Sequence, residues 1–215
     1  MIVDLTHELH SEIPRWPTHT RYSHDLVESH PRHFGLTLSE HSGTHLDAPC
    51  HFVPGASSIA DQPLAGFFGR AACIPVASGS SHATRTHLER WQDDHGEIRP
   101  GDAVLLAFGW DRYWPDGGEF GSWPALALDA AEYLAGLGTR LVGTDTCSPD
   151  EPGTTGAPVH RTLLGAGVLI GENFRALTTL PPWCDLITLP LPIKDGTGSP
   201  VRAVAVVPDD PAPEE

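Results

Sequence analysis

The sequence predicts an α/β protein built on a mixed β-sheet. Three observations lead there. Short apolar segments of strand character outnumber helical ones. The helical segments do not alternate regularly with the strands, which argues against a doubly wound sheet. The chain has 215 residues, 40% of them hydrophobic, enough for one domain with a sizeable core. No internal repeat or linker divides it. The domain is expected to span residues 1–207, and the acidic, proline-containing residues 208–215 to form a mobile tail.

Taken in order, residues 2–6 read as a strand and 10–34 as a long irregular segment without periodicity. Residues 34–40 alternate apolar and polar side chains, as a half-buried strand does. Residues 69–77 are a further apolar strand. Thr86 and Glu89 have capping-box spacing before a short helix, and residues 102–108 form a buried strand. Residues 111–124, rich in Gly, Trp and Asp, read as a loop. Asp129 and Glu132 repeat the capping spacing for a helix that ends near Leu137, with Gly138 as its stop. Strands are expected at 140–145, 168–170, 185–191 and 201–207, with a Pro/Gly/Thr loop at 147–158 and a short helix near 160–164.

A formal net charge of −15 argues against nucleic acid and anionic membranes as partners, and no segment is long and apolar enough to span a bilayer. The N-terminus has no basic region followed by an apolar run, so no secretory signal is read there. The four cysteines, 50, 73, 147 and 184, form no Cys-x-x-Cys pair, so a structural zinc knot is not expected. Free thiols in a reducing cytoplasm are the simplest reading. Cys50, between Pro49 and His51, reads as a small packed side chain rather than a nucleophile.

The chemistry concentrates in HSGTHLDAPCH, residues 41–51. Three imidazoles, His41, His45 and His51, and the carboxylate of Asp47 fall within eleven residues. All can bind a transition metal, and His or Asp can also move protons. On a helix, Asp47 would lie nearly opposite His45, and Gly43 and Pro49 would weaken the helix. Fully extended, His41 and Asp47 would stand roughly 20 Å apart, too far to meet at one ion. The chain must therefore bend, and Gly43 is best able to let it.

This stretch resembles the signature of the metal-dependent cyclase family of hydrolases, His-x-Gly-Thr-His-x-Asp-x-Pro-x-His, to which bacterial kynurenine formamidases and isatin hydrolases belong. His160, followed twelve residues later by Glu172-Asn173, is similar to the family's second ligand segment. Residues 196–203 (GTGSPVRA) resemble its C-terminal Gly-x-Pro-Val-Arg strand, and LLAFGW (105–110) and LVGTDTCS (141–148) also look alike. The resemblance implies a swivelling β/β/α architecture and a homodimer or higher homo-oligomer. It implies metal ligation by His41, His45, Asp47, His160 and Glu172, with one or two zinc ions and manganese as the other candidate. A pair would share the two carboxylates, roughly 3.5–4 Å apart. His51 is the expected general acid/base. Trp16 matches an aromatic that stacks on substrate, but Trp16-Pro-Thr-His19 stands where formamidases tend to have Trp-Pro-Gly-Asp. The expected activity is hydrolysis of an amide of a small aromatic molecule, N-formylkynurenine first. Isatin or lactone hydrolysis, or a non-hydrolytic cyclase or dehydratase with the same site, are the alternatives. Asp145 and Arg202 are expected in a turn or ion pair, and Asn173 to hold local backbone.

Overall fold

A computed structural model describes residues 1–77, 82–116 and 122–208, so the expected tail after Pro208 lies outside the described residues. In chain order the strands are β1 (Ile2–Asp4), β2 (Ser23–Ser29), β3 (Arg32–Thr37), β4 (His45–Asp47), β5 (Phe68–Pro75), β6 (His82–Ala83), β7 (Ala103–Ala107), β8 (Ala125–Leu126), β9 (Leu141–Thr144), β10 (Leu169–Glu172), β11 (Trp183–Ile187), β12 (Gly198–Pro200) and β13 (Val204–Val206). The α-helices are α1 (Arg85–His95), α2 (Leu128–Leu137) and α3 (Pro158–Gly165). The main sheet is mixed, with order β1-β13-β11-β5-β7-β9-β10-β4-β12. Its centre, β5-β7-β9-β10, is parallel, and the strands outside it pair antiparallel.

The helices do alternate with the central strands, contrary to expectation. Helix α1 links β5 to β7, α2 links β7 to β9, and α3 links β9 to β10. Parallel neighbours need such crossovers, because a hairpin cannot reverse the chain twice. The sheet is still not doubly wound, because all three helices cover one face. Leu88 and Trp91 of α1, Ala131 and Leu134 of α2, and Leu163 and Leu164 of α3 share one cluster with Ile74, Leu106, Val142 and Ile170. The alternate strand positions, Cys73, Leu105, Leu141 and Leu169, face a second cluster with Leu5, Leu46, Phe174 and Ala205. The sheet curls around this second cluster. Thr6 bridges Phe174, and the Leu5 carbonyl accepts the Arg175 N–H at 3.0 Å.

Other differences are local. Residues 10–34 are not wholly irregular, because β2 and β3 form a hairpin separate from the main sheet. Its face is exposed over most of both strands, which blurred the alternation. Helix α1 is capped by Thr84, two residues before the expected cap: the Thr84 N–H donates to His87 Nδ1 at 3.2 Å, so an imidazole fills the Glu position of the box. Ala127, not Asp129, precedes α2, and Gly138 closes it with φ 75°. A 3-10 turn over Trp110–Asp116 occupies part of the expected 111–124 loop, of which 117–121 lie outside the described residues. All four cysteines are free, and Cys50 Sγ–H donates to the Gly196 carbonyl at 3.5 Å as a packed side chain. Among the described residues no helix is long and apolar enough to cross a membrane.

Candidate metal centre

Strand β4 carries His45 and Asp47 on one side and Leu46, fully buried, on the other. It lies between β10 and β12. His45 is opposite Glu172 and Asp47 is opposite Gly198, so cross-strand pairing brings the first and second motifs together. His41 reaches the same place because the chain turns at Gly43, whose φ is 64° and whose missing Cβ would sit 2.6 Å from Leu9 Cδ2. A glycine is also required at position 198, where a Cβ would lie 2.7 Å from His41 Cε1. After β4, the 3-10 turn Pro49–His51 brings the His51 ring against the His41 ring, with centroids 4.1 Å apart. His160, on the first turn of α3, arrives from the other side.

The expected residues converge. The donor atoms of His41, Asp47 and His51 lie within 4.8 Å of one another, and so do those of Asp47, His160 and Glu172. Asp47 belongs to both groups. His45 Nε2 stands 3.4 Å from both Asp47 and Glu172. His160 Nε2 is 3.3 Å from Asp47 and 3.2 Å from Glu172.

The arrangement fits a cation. His45 Nδ1–H donates to the Gly43 carbonyl at 2.8 Å, which leaves Nε2 a bare lone pair aimed at the two carboxylates. His160 Nδ1–H is held by Asp150 at 2.5 Å, with the same result at its Nε2. His41 Nε2 is held by Thr197 at 2.9 Å, and its Nδ1 faces Asp47 at 2.7 Å. Lone pairs facing carboxylates repel unless positive charge lies between them. Partners on the far ring nitrogen are how metal-binding histidines are oriented. Protons fill that role in the free protein. Burial alone would lower His45, but Asp47 and Glu172 raise it to about 8. Burial opposes His160 too, yet Asp150, Asp47 and Glu172 hold it well above the usual histidine range. Burial would raise Asp47, but His41 and His160 keep it well below the ordinary carboxylate value, whereas burial dominates at Glu172 and raises it. At His51 burial outweighs the attraction of Asp47 and pushes it down to about 4.

The centre opens into a cavity of about 450 Å³. Trp16 lines it and meets Trp123 edge to face, with centroids 5.9 Å apart. Thr18 and His19 also line it, so the departure in this segment falls in the cavity wall. Arg15 Nη1 donates to the carbonyls of Trp16, Pro17 and His19 at 3.1–3.3 Å and ties that turn together. Sequence reasoning missed Asp150, Thr197, Glu40 and Trp123. Asp150 also accepts the Val159 and His160 N–H groups, at 2.8 and 3.1 Å, capping α3 from outside it. Its carbonyl accepts the Trp123 Nε1–H at 2.8 Å. Glu40 directly precedes the first motif and Thr197 sits within the third, so both lay beside visible signals. Asn173 holds backbone as expected, with Nδ2 donating to the Gly43 carbonyl at 3.1 Å and φ at 55°. Arg202 pairs with Asp4 at 2.7 Å on the surface. Asp145 accepts the N–H groups of Phe108, Gly109 and Trp110 at 2.7–3.3 Å.

The family model described as "Putative cyclase" matches residues 3–151. A kynurenine formamidase of Bacillus thuringiensis (strain Al Hakam) is 30% identical over 217 residues, covering 94% of this chain and 95% of that one. One from Salinibacter ruber is 34% identical over 183 residues, covering 82% and 80%. Isatin hydrolase A from Labrenzia aggregata, solved with benzyl benzoate, superposes with a TM-score of 0.87 at 28% identity, covering 96% and 93%. With the first-motif residues, His160 and Glu172 gathered at one centre and matches of this extent, the chain belongs to the cyclase family and is a hydrolase.

Proposed function

We propose that this hydrolase cleaves an amide bond of a small aromatic substrate, with N-formylkynurenine as the first candidate and isatin or a lactone as the alternative. The observation that carries the reading is Asp47, itself buried, which belongs to two donor sets at the floor of an aromatic-walled cavity. The formamidase relatives favour the first substrate and the isatin hydrolase fold the second.

His41, His45, Asp47, His160 and Glu172 would hold one or two ions. Their nitrogen and oxygen donors suit zinc first and manganese next. A divalent ion there supplies Lewis acidity, lowering the pKa of water towards neutrality and favouring negative charge on a carbonyl oxygen. His51 enters unprotonated at neutral pH, takes a proton from the attacking water and passes it to the leaving nitrogen. Trp16 and Trp123 form an apolar corner for the substrate ring. Thr18 and His19 set the cavity's remaining shape.

Turnover of N-formylkynurenine, isatin and an aromatic lactone by zinc- and manganese-loaded protein in ¹⁸O-labelled water tests this. Cleavage with label in the new acid is expected. Product without label, or no turnover of any ring carbonyl compound, would reject hydrolysis of this substrate class.

The functional unit is inferred to be a homodimer or higher homo-oligomer. Support comes from the β2–β3 hairpin, which exposes Leu26, Val27 and Leu36 by 55%, 64% and 56%. Leu26→Lys with Val27→Lys is expected to reduce the mass measured by light scattering to that of one chain. An unchanged mass would place the interface elsewhere.

A further inference from the structure

We propose that Glu40 and Thr197 form a positioning relay for His41 that controls occupancy of one half of the metal centre, while Asp150 does the same for His160 in the other half. The proposal rests on the metal-dependent reading above. The Glu40 carboxylate accepts two bonds on Oε2, from the Thr197 N–H at 2.8 Å and from the Thr197 hydroxyl at 2.7 Å. A hydroxyl has one proton. Having given it to Glu40, Thr197 Oγ1 accepts from His41 Nε2–H at 2.9 Å. His41 therefore keeps a proton on Nε2, and its Nδ1, 2.7 Å from the Asp47 carboxylate, is the nitrogen left for an ion. At His160 the assignment is reversed: the Asp150 carboxylate accepts Nδ1–H, and Nε2 is the nitrogen that faces Asp47 and Glu172.

The two relays are separate. Glu40 and Thr197 are 157 residues apart and meet beside His41. Asp150 reaches His160 from the loop before α3. The relays converge only through Asp47, which belongs to both donor sets. Each should therefore act on its own half: Glu40 and Thr197 on the side held by His41 and Asp47, and Asp150 on the side held by Asp47, His160 and Glu172. Partners of this kind, when removed, typically cost about 10–100-fold in metal affinity.

The test titrates the full, metal-stripped chain with Zn²⁺ by calorimetry, with bound metal counted by elemental analysis and metal-free thermal unfolding read alongside. Wild type should take two ions. Thr197→Val should bind one ion with wild-type affinity and the other about 10–100-fold more weakly, and Thr197→Ser should restore the second ion. Glu40→Gln presents its amide oxygen to both Thr197 donors and should keep both ions, whereas Glu40→Leu removes the acceptor, frees the Thr197 hydroxyl proton to point at His41 Nε2, and should weaken the same ion even if Thr197→Val fails to fold. Asp150→Asn should weaken the other ion. The relay is overturned if both ions bind normally to Thr197→Val and Glu40→Leu, if Thr197→Ser is as impaired as Thr197→Val, if both ions weaken together, or if wild type takes only one. Failure of wild type to bind any ion would overturn the metal reading with it. Selective loss of one ion in a protein inactive on the substrates above would sink the proposed activity and leave the relay standing.

Discussion

Histidines at 41, 45 and 51 look alike in sequence, but the structure gives them different surroundings. His41 and His45 each have one ring nitrogen tied to a neighbour and the other aimed at carboxylates. His51 stacks on His41 and lies close enough to Asp47 to ligate, yet burial keeps it unprotonated. The proton-carrier role therefore predicts that His51→Ala retains wild-type zinc content and loses about 10²–10⁴ in turnover. Metal analysis beside kinetics checks this. Loss of an ion would make His51 a ligand and require another group to protonate the leaving atom. At this scale the motif was legible because ligand types and a glycine hinge are local properties. Asp150, Glu40 and Thr197 were not, because an orienting residue is defined by what folds against it.

The elements meet the site through two neighbouring parallel strands. Gly143 of β9 and Gly171 of β10 sit beneath the fully buried Phe174 ring. A Cβ at either position would collide with the ring, and one at Gly143 would also lie 2.7 Å from Leu105 Cδ2. Phe174 follows Glu172 by two residues, so the ring that fills the core also pins the end of the ligand strand. Gly143→Ala is expected to destabilise by about 1–3 kcal/mol through overpacking, lowering the urea midpoint with the slope unchanged. An unaltered midpoint would show that the ring has room to move. Strands β5 and β7 were readable as short apolar runs because that signal lies within one segment. Of the hairpin, residues 34–37 of β3 fall in the strand expected at 34–40, whereas β2 was missed because it is exposed along nearly its whole length, and the cap of α1 because His87 took the place of Glu.

Across the molecule, one carboxyl outside the centre couples folding to pH. Burial raises Asp145 from its ordinary 3.8 to about 7, with Asp111 adding to it and three N–H donors opposing. Between those values the folded chain keeps a proton that the unfolded chain releases. The stability contributed by protonated Asp145 is complete below about pH 3.8 and is lost as pH rises through about 7. The upper bound of the loss is on the order of 4 kcal/mol. Asp145→Asn does not titrate, so wild type should lose stability relative to this variant between pH 4 and 8 in denaturant titrations. A constant difference across that range would show that the three N–H bonds keep Asp145 ionised throughout.

The sequence by itself singled out the candidate donor residues, the hinge at Gly43, the single-domain size and most strand positions. These follow from residue chemistry and short-range periodicity, which do not depend on distant partners. The tertiary structure decided that Asp47 lies in two donor sets, that α1, α2 and α3 share one face, and that Thr197 and Asp150 orient different histidines. Each of these depends on strand register or on contacts spanning large sequence separations, such as Gly198 opposite Asp47 or Glu172 opposite His45. A shift of one residue in that register would turn Asp47 from the centre into the core, because alternate side chains of a strand point to opposite faces.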